Sequence, residues 1–199
     1  RPHFDAVPGG LSVGVPGVLR AFELTHKKYG KLPWSKLFAP AIRLAEDGFE
    51  ISPRLHELLV QDRALSKTEP ARSFYYLPDG TAKPVGTRLV NPAFAKTLRL
   101  IADQGPAAFY TGPIAAALVA QMKHDGGIIT RQDLASYRPE WRTPIVGKYR
   151  GYTLYAMPPS SSGGVTTVEI LNQLETWKSL PPFNSAAYKH LLAETFQRA

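Results

Sequence analysis

The chain has 199 residues, of which 44% are hydrophobic and 20% are charged, and its formal net charge is +8. This composition excludes an intrinsically disordered chain, and the absence of cysteine excludes disulfides, a thiol nucleophile and a cysteine-type zinc site. The basic residues occur in short, scattered groups such as residues 26–28, which argues against nucleic acid or an anionic membrane as the partner.

The length suits one domain or part of a larger one. The first residue is Arg1 rather than methionine, and the last segment reaches Ala199 in helical periodicity without a stop signal. The sequence therefore predicts an internal fragment of a longer protein. No hydrophobic run approaches the roughly 20 residues that a membrane span requires, so no span is expected in this segment.

A series of helices is predicted over residues 16–138. The first covers residues 16–29, and Gly30 is expected to end it in the left-handed conformation. Residues 34–47 form the second, with Pro40 either kinking it or beginning its regular part. The apolar periodicity predicts burial of Val18, Leu19, Phe22, Leu37, Phe38, Ala41, Ile42, Leu44 and Ala45.

Ser52-Pro53 and Asn91-Pro92 each place a capping side chain before a proline at the first helical position. Between these two helix starts, residues 74–87 are predicted to form a short hairpin or exposed excursion turned by Asp79-Gly80. The inward-facing residues of the two helices are predicted to be Leu55, Leu58, Leu59, Phe94, Leu98 and Ile101.

A further helix is predicted from about Pro113 to Gly126-Gly127, which should end it. Residues 130–133, Thr-Arg-Gln-Asp, have the form of a capping box for a short helix that ends near Tyr137. The apolar stripe of the longer helix is Ile114, Ala117, Leu118 and Met122.

Residues 142–155 carry the strongest strand signal, with Pro144 at an edge and Gly151 at a turn. Two prolines then stop strand pairing, and a loop of three serines and two glycines leads into a helix that ends near residue 178. A last helix occupies residues 185–199. The apolar residues assigned to the interiors of these two helices are Val165, Val168, Ile170, Leu171, Leu174, Tyr188, Leu191, Leu192 and Phe196.

The serine-glycine loop admits two interpretations. Free backbone N–H groups at a helix start favour an anion such as a carboxylate or a phosphate. Serine and glycine before a helix are, however, more often a cap and a tight turn. The residues concerned are Ser161, Ser162, Gly163 and Gly164.

The sequence contains no other motif that predicts a catalytic site. The loop lacks the spacing of a nucleophile elbow and of a phosphate-binding loop. Glu46, Asp47 and Asp133 stand where helix ends use acidic residues structurally. No metal site is expected, because the histidines lie far apart in the sequence; they are His3, His26, His56, His124 and His190.

Taken together, several blocks resemble the large subunit of gamma-glutamyltransferases. One departure is Ser160, where the family commonly has a third proline. The matching blocks, in order, are Val15-Pro-Gly-Val18, Ala41-x-x-Leu44-Ala45-x-Asp47-Gly48-Phe49, Gly126-Gly-Ile-Ile-Thr130 with Asp133-Leu134 and Tyr137, Arg142-Thr-Pro-Ile145, Tyr149-Arg-Gly-Tyr152 and Met157-Pro-Pro-Ser-Ser-Ser-Gly-Gly164.

The resemblance implies an autoprocessed N-terminal-nucleophile hydrolase that moves a gamma-glutamyl group from glutathione or a related amide to water, an amino acid or a peptide. Its nucleophile would be the N-terminal threonine of the small subunit, beyond this chain, and the arginine that binds the substrate carboxylate would precede Arg1. No catalytic residue is therefore assigned here, and neither Arg20 nor Thr166 is a substitute. Ser161, Ser162, Gly163 and Gly164 are the pocket-lining candidates, and their backbone is expected to shape the approach of a core strand to its helix.

The resemblance also implies the partners, the cofactors and the location of the protein. The partners would be the remainder of the large subunit, the small subunit of the same precursor and a small gamma-glutamyl substrate, without metal or organic cofactor. Periplasmic location or secretion by a bacterium is implied as well. Two alternatives stay open: a noncatalytic scaffold or binding relative, and a relative that acts on a cephalosporin side chain or a poly-gamma-glutamate bond.

The predicted fold class is α+β, mainly helical in this segment and part of a layered αββα fold. We expect residues 1–199 to form a single partial domain, with a helical lobe over about 16–138, a strand and strand-to-helix element over about 142–178 and a truncated helix over about 185–199. Its apolar faces should pack on polypeptide that lies outside residues 1–199. The fragment alone should therefore fold poorly and be inactive.

Overall fold

The computed structural model describes residues 8–199, which are mainly helical with two small antiparallel sheets, and this confirms the predicted α+β class. The chain divides into two compact units. The first unit ends at Pro139, and the second extends from Glu140 to Ala199. Within residues 8–199 no helix combines the length and the apolar character needed to cross a membrane.

The first unit consists of helices, short turns of 3-10 helix and one pair of two-residue strands. The antiparallel strands are β1 (Phe49–Glu50) and β2 (Arg88–Leu89). The helices are α1 (Val18–Tyr29), α2 (Ala39–Asp47), α3 (Pro53–Gln61), α4 (Ala71–Tyr75), α5 (Pro92–Gln104), α6 (Ala107–Tyr110), α7 (Pro113–His124) and α8 (Arg131–Ser136). The 3-10 turns are Gly10–Ser12, Trp34–Phe38 and Leu65–Lys67.

The predicted helix starts are confirmed by their capping bonds. Ser52 Oγ accepts a hydrogen bond from the Leu55 N–H at 3.1 Å, and Asn91 Oδ1 accepts one from Phe94 at 2.9 Å. Thr130 and Asp133 form the complete capping box of α8. Such bonds satisfy N–H groups that have no partner within the helix, so they determine where each helix begins.

Two local predictions need correction. Gly30 has φ −65° and ψ 136°, so it is extended rather than left-handed, and α1 ends because the chain turns back across His26. A β-carbon at Gly30 would collide with the His26 ring, and this close approach is why glycine is required. Residues 71–75 are helical, so the predicted hairpin is reduced to a bridge between Tyr76 and Ala82 around Asp79-Gly80.

Two apolar clusters form the interior of the first unit. The first surrounds the fully buried Tyr110 and Leu134, and Leu19 of α1 packs against it. The second contains Ile51 and Tyr76, whose hydroxyl donates a hydrogen bond to a backbone carbonyl of α3 at 2.9 Å. The remaining buried members of the two clusters are Ala115, Met122, Ile129, Leu59 and Leu89.

Several residues predicted to be buried are exposed instead. Periodicity identifies the apolar face of a helix, but it does not reveal whether another element covers that face. In the described part of the chain these faces are uncovered. The large side chains concerned are Val18, Phe22, Leu37, Leu44, Leu58, Phe94, Val165 and Phe196, and the small ones are Ala41 and Ala117.

The second unit is a hairpin followed by two helices, as the sequence predicts. Strands β3 (Ile145–Tyr149) and β4 (Tyr152–Ala156) pair antiparallel around Gly151, with Ile145 opposite Ala156. Gly147 faces helix α9 (Gly163–Glu175). A β-carbon at Gly147 would lie 2.8 Å from a methyl group of Val168. Helix α10 (Ala186–Arg198) begins at the capping residue Ser185.

Candidate functional site

The candidate site is the junction between β4 and α9. The strand ends at Ala156, the loop follows, and the helix begins at Gly163. Because Pro158 and Pro159 have no N–H to donate, strand pairing cannot continue through the loop. The Ser161 N–H donates to the Pro158 carbonyl at 3.3 Å, which closes a turn.

Ser162 does not act as a side-chain cap of α9. It precedes the first helical residue with φ −77° and ψ −25°, and within the described residues its hydroxyl makes no capping bond. Its carbonyl accepts the first helical hydrogen bond, from the Thr166 N–H at 3.0 Å. The loop is thus a turn that enters the helix directly.

The two glycines have different surroundings. Gly164 is buried against the end of β4, where a β-carbon would overlap the Met157 carbonyl oxygen and lie 3.0 Å from the Ala156 β-carbon. At Gly163 a β-carbon would meet only the Ser161 hydroxyl, at 3.8 Å. The expectation that the glycine backbone shapes the approach of strand to helix therefore holds for Gly164 and not for Gly163.

A cleft of about 690 Å³ lies beside this junction. Ser161 is part of its lining, whereas Ser162, Gly163 and Gly164 lie outside the lining. The lining residues are Glu140, Trp141, Arg142, Pro144, Tyr155, Ala156, Met157, Pro158, Pro159, Ser160 and Ser161.

Arg142 joins the two sides of the cleft. Its Nη1 donates a hydrogen bond to the Pro159 carbonyl oxygen at 3.0 Å. Arg142 is not among the residues predicted to line the site, although the hairpin provides a signal for it. Extending the antiparallel register of Ile145 and Ala156 by three residues places 142 opposite 159.

The cleft offers hydroxyls, one carboxylate and one guanidinium. These groups could orient a polar ligand, but within residues 8–199 no hydrogen bond joins Ser160 or Ser161 to a carboxylate or an imidazole. A serine nucleophile needs such a base within hydrogen-bonding reach. The described residues also contain no group of three or more histidine, aspartate or glutamate side chains placed to hold a metal ion.

The acidic residues considered from the sequence have structural partners. The hydroxyl and the N–H of Thr130 donate to Asp133 and lower the pKa of its carboxyl. A hydrogen-bonded ion pair with Arg99 lowers the pKa of Glu46. Both carboxyl groups are therefore held in the ionised form, as helix-end and surface partners rather than as proton donors.

The residues of the cleft do not identify the family of the protein, whereas its similarity to known proteins does. The family described as Gamma-glutamyltranspeptidase matches residues 2–199. The chain is 40% identical over 187 residues to the glutathione hydrolase proenzyme of Escherichia coli strain K12, covering 92% of this chain and 32% of that protein. It is 41% identical over 196 residues to the glutathione hydrolase proenzyme of Pseudomonas aeruginosa, with coverages of 96% and 34%.

A third relative has a different name. The acylase ACY 1 proenzyme of Pseudomonas sp. strain V22 is 39% identical over 196 residues, which cover 98% of this chain and 35% of that protein. The chain thus spans about a third of the length of these curated relatives.

Solved structures show the same fold. Helicobacter pylori gamma-glutamyltranspeptidase superposes with a TM-score of 0.92 at 37% identity, covering 98% of this chain and 56% of that one. Cephalosporin acylase from Bacillus halodurans superposes with a TM-score of 0.81 at 30% identity, covering 97% of this chain and 38% of that one. The predicted relation to the N-terminal-nucleophile hydrolase fold is confirmed by these matches.

Proposed function

Because this chain belongs to the gamma-glutamyltranspeptidase family, we propose that it is a large-subunit segment of a proenzyme that cleaves gamma-glutamyl amides such as glutathione. The gamma-glutamyl group would pass to water, an amino acid or a peptide. The observation that carries this proposal is the family match over residues 2–199, together with about 40% identity to relatives named glutathione hydrolase proenzyme.

In the proposed reaction the nucleophile is a threonine outside this chain. Its hydroxyl oxygen attacks the amide carbon, an amine takes the hydroxyl proton, and that proton passes to the departing amine. The gamma-glutamyl ester that results is then opened by water or by an acceptor amine, which regenerates the threonine hydroxyl. None of these steps is assigned to a residue of this chain.

The contribution that we propose for this chain is to support the fold around that chemistry. Close contacts at Gly147 and Gly164 hold the hairpin against α9, and Arg142 ties the entry of β3 to the loop after β4. Such supports matter because a catalytic group displaced by about 1 Å can lose about 100-fold in rate. The segment by itself is proposed to be inactive.

The test is hydrolysis of a gamma-glutamyl anilide by the full-length protein, compared with a glutaryl amide. We expect aniline release from the gamma-glutamyl substrate, and loss of that release when the threonine at the start of the small subunit is replaced by alanine. Exclusive cleavage of the glutaryl amide would reject the proposal.

That second outcome would support the other enzyme candidate, an acylase that removes a cephalosporin side chain. It is favoured by the identity of 39% to a protein named acylase ACY 1 proenzyme and by the likeness to a cephalosporin acylase structure. A relative acting on poly-gamma-glutamate would be identified by release of gamma-glutamyl oligomers from that polymer.

A noncatalytic scaffold differs from both enzymes in the remainder of the coding region. An intact threonine at the start of a small-subunit core supports an enzyme, whereas its absence supports the scaffold. We further propose periplasmic location or secretion, which fractionation of the native cells would test, and we propose the subunits of one processed precursor as the partners.

A further inference from the structure

Helix α1 has two apolar faces, and one of them is uncovered in the described structure. Leu19 faces inward and packs on the cluster around Tyr110. On the outward side, Val18, Phe22 and Tyr29 follow one another at spacings of four and seven residues, which places them along one stripe. Each of these three side chains is about 60% exposed.

Phe22 and Tyr29 of this stripe form one wall of a groove, named here the α1 groove, whereas Val18 lies outside its lining. The other wall is the segment that follows Gly30 and continues through the 3-10 turn at 34–38. The α1 groove has a volume of about 580 Å³, and its main apolar lining residues are Phe22, Tyr29, Leu32, Trp34, Leu37 and Phe38.

The polar atoms that hold the α1 groove together are already engaged within the chain. His26 Nε2 lies 2.8 Å from the Leu32 carbonyl oxygen, and Trp34 Nε1 donates to the Ile101 carbonyl at 3.2 Å. The Trp34 ring also packs edge-on against the rings of His26 and Phe38. The groove therefore has a defined shape and presents chiefly apolar atoms.

Two lysines flank this apolar surface. Lys31 lines the groove, and Lys36 lies in the 3-10 turn that forms the second wall. Within residues 8–199 neither ammonium group has an ion-pair partner. An occupant with carboxylates beside its apolar face would complement both features of the surface.

We propose that the α1 groove docks an amphipathic segment of the same precursor that lies outside residues 1–199 and carries acidic residues beside its apolar face. This inference rests on the proposed function, because it requires this chain to be part of a longer precursor. The relatives are about three times as long as the region matched, so such polypeptide is available. The part of α1 that lines the groove, from Phe22 to Tyr29, spans about 10 Å, which suits a helical segment of about two turns.

A second copy of this chain is a poorer occupant. The chain carries a net charge of +8, and a copy seated by two-fold symmetry would bring the same lysines towards Lys31 and Lys36. Like charges across an interface oppose association. The groove nevertheless exposes four large apolar side chains, which is typical of a surface that is covered in the assembled protein. These side chains are Phe22, Tyr29, Leu32 and Leu37.

The direct test is photo-crosslinking in the full-length protein with Phe22→p-benzoylphenylalanine, followed by peptide mapping. We expect an intramolecular cross-link to a segment outside residues 1–199 that contains apolar residues at helical spacing and flanking aspartate or glutamate. Leu32→p-benzoylphenylalanine is the second probe and should capture the same segment. Cross-links to a second copy, or to residues 1–199, or none from either probe, would overturn the proposal.

Charge reversal provides an independent readout. Lys31→Glu with Lys36→Glu should lower the cross-link yield from the Phe22 probe at least about threefold, because opposite charge becomes like charge. Lys67→Glu with Lys123→Glu makes the same change of charge on two exposed lysines that are not part of the groove and should leave the yield unchanged. An equal yield in all three proteins would contradict the acidic character of the occupant.

The two proposals fail in different ways. Cross-linking does not depend on turnover, so a protein that cleaves neither amide but gives the expected cross-link would refute the proposed function alone. A protein that cleaves the gamma-glutamyl anilide without the cross-link would refute the docking of the precursor segment alone.

Discussion

The two units of the chain differ in how far their apolar residues are buried. In the first unit, Tyr110 and Leu134 are fully buried within a cluster, and Ile51 and Tyr76 belong to a second cluster. Large apolar side chains are exposed in both units, but the described residues of the second unit form no such cluster, and its buried apolar side chains are Leu174 and Leu191. Other large side chains of this unit are exposed on its hairpin, loop and helices. They include Val146, Tyr152, Tyr155, Met157 and Phe183.

The hairpin explains the difference. Its inner face packs on α9 through the close approach at Gly147, whereas Val146 and Tyr155 pair on the opposite face and are 54% and 73% exposed. A two-stranded sheet buries little surface by itself and needs a third element on its free face for independent stability. The first unit therefore contains more buried interior of its own, and in the second unit the outer face of the hairpin is uncovered within the described residues.

The largest expected effect is at Tyr110. Replacement by alanine removes a buried ring, and with it the hydrogen bond of 2.6 Å to the Pro16 carbonyl and the contact with the Arg20 guanidinium. We expect a loss of about 3–5 kcal/mol in the free energy of unfolding of the full-length protein. Denaturant titration measures it, and Tyr110→Phe, which keeps the ring, should lose only about 1–3 kcal/mol. An alanine variant as stable as wild type would show that the first unit is not organised around this cluster.

A smaller effect is expected at the junction of the second unit. Gly164→Ala forces a methyl group onto the Met157 carbonyl and should lower the free energy of unfolding by about 1–3 kcal/mol. Gly163→Ala is the matched control, and it should be neutral or stabilising by up to about 1 kcal/mol because its β-carbon has room.

The yield of processed subunits and the Michaelis constant distinguish the role of Gly164. We expect a lower yield of processed subunits from Gly164→Ala, with little change in the Michaelis constant of whatever enzyme matures. Normal processing together with a raised Michaelis constant would instead support an anion site at the start of α9.

The caps offer a finer comparison between the units. Thr130→Ala removes a side-chain cap of the first unit and should cost about 1 kcal/mol. Ser162→Ala, at the start of α9, removes no capping bond and should change the free energy of unfolding by less than about 0.5 kcal/mol. Denaturant midpoints of the two variants measure the contrast, and an equal loss at Ser162 would show that its hydroxyl has a partner elsewhere in the precursor.

The smallest effect concerns the pH dependence of the same cap. Hydrogen bonds from Thr130 lower the pKa of Asp133 in the folded protein, so this carboxylate stabilises the fold above the unfolded pKa of about 4. The stabilisation is lost as the pH falls through the folded pKa. Thermal midpoints measured from pH 5 to pH 2 should therefore fall less steeply in Asp133→Asn than in wild type. Parallel curves would show that Asp133 does not contribute.

Much of the local structure could be predicted because its causes lie within four or five residues. Ser52, Asn91 and Thr130 each cap a helix through the N–H three residues ahead, and Gly151 turns the hairpin. The family was likewise recognisable from ordered blocks of sequence. The threonine nucleophile that we propose could not be assigned to any position, since the resemblance places it outside these 199 residues.

Burial was predicted less well, because an apolar stripe states only that some surface should be covered. Phe22 and Leu37 were placed in the interior, and both instead line the exposed α1 groove. Within the candidate loop, the sequence did not separate Gly163 from Gly164, which differ in the atoms that approach them from β4.

By itself, then, the sequence determined the α+β class, the starts of the capped helices, the strand region with its turn at Gly151 and the membership of a family. These properties follow from hydrogen bonds between near neighbours and from the order of residue types along the chain. Only the tertiary structure decided that Gly30 and Gly164 are needed for close approach, that Arg142 reaches Pro159, and which apolar faces stay uncovered. Each of these depends on atoms that are brought together by packing, and no local pattern specifies how closely they meet.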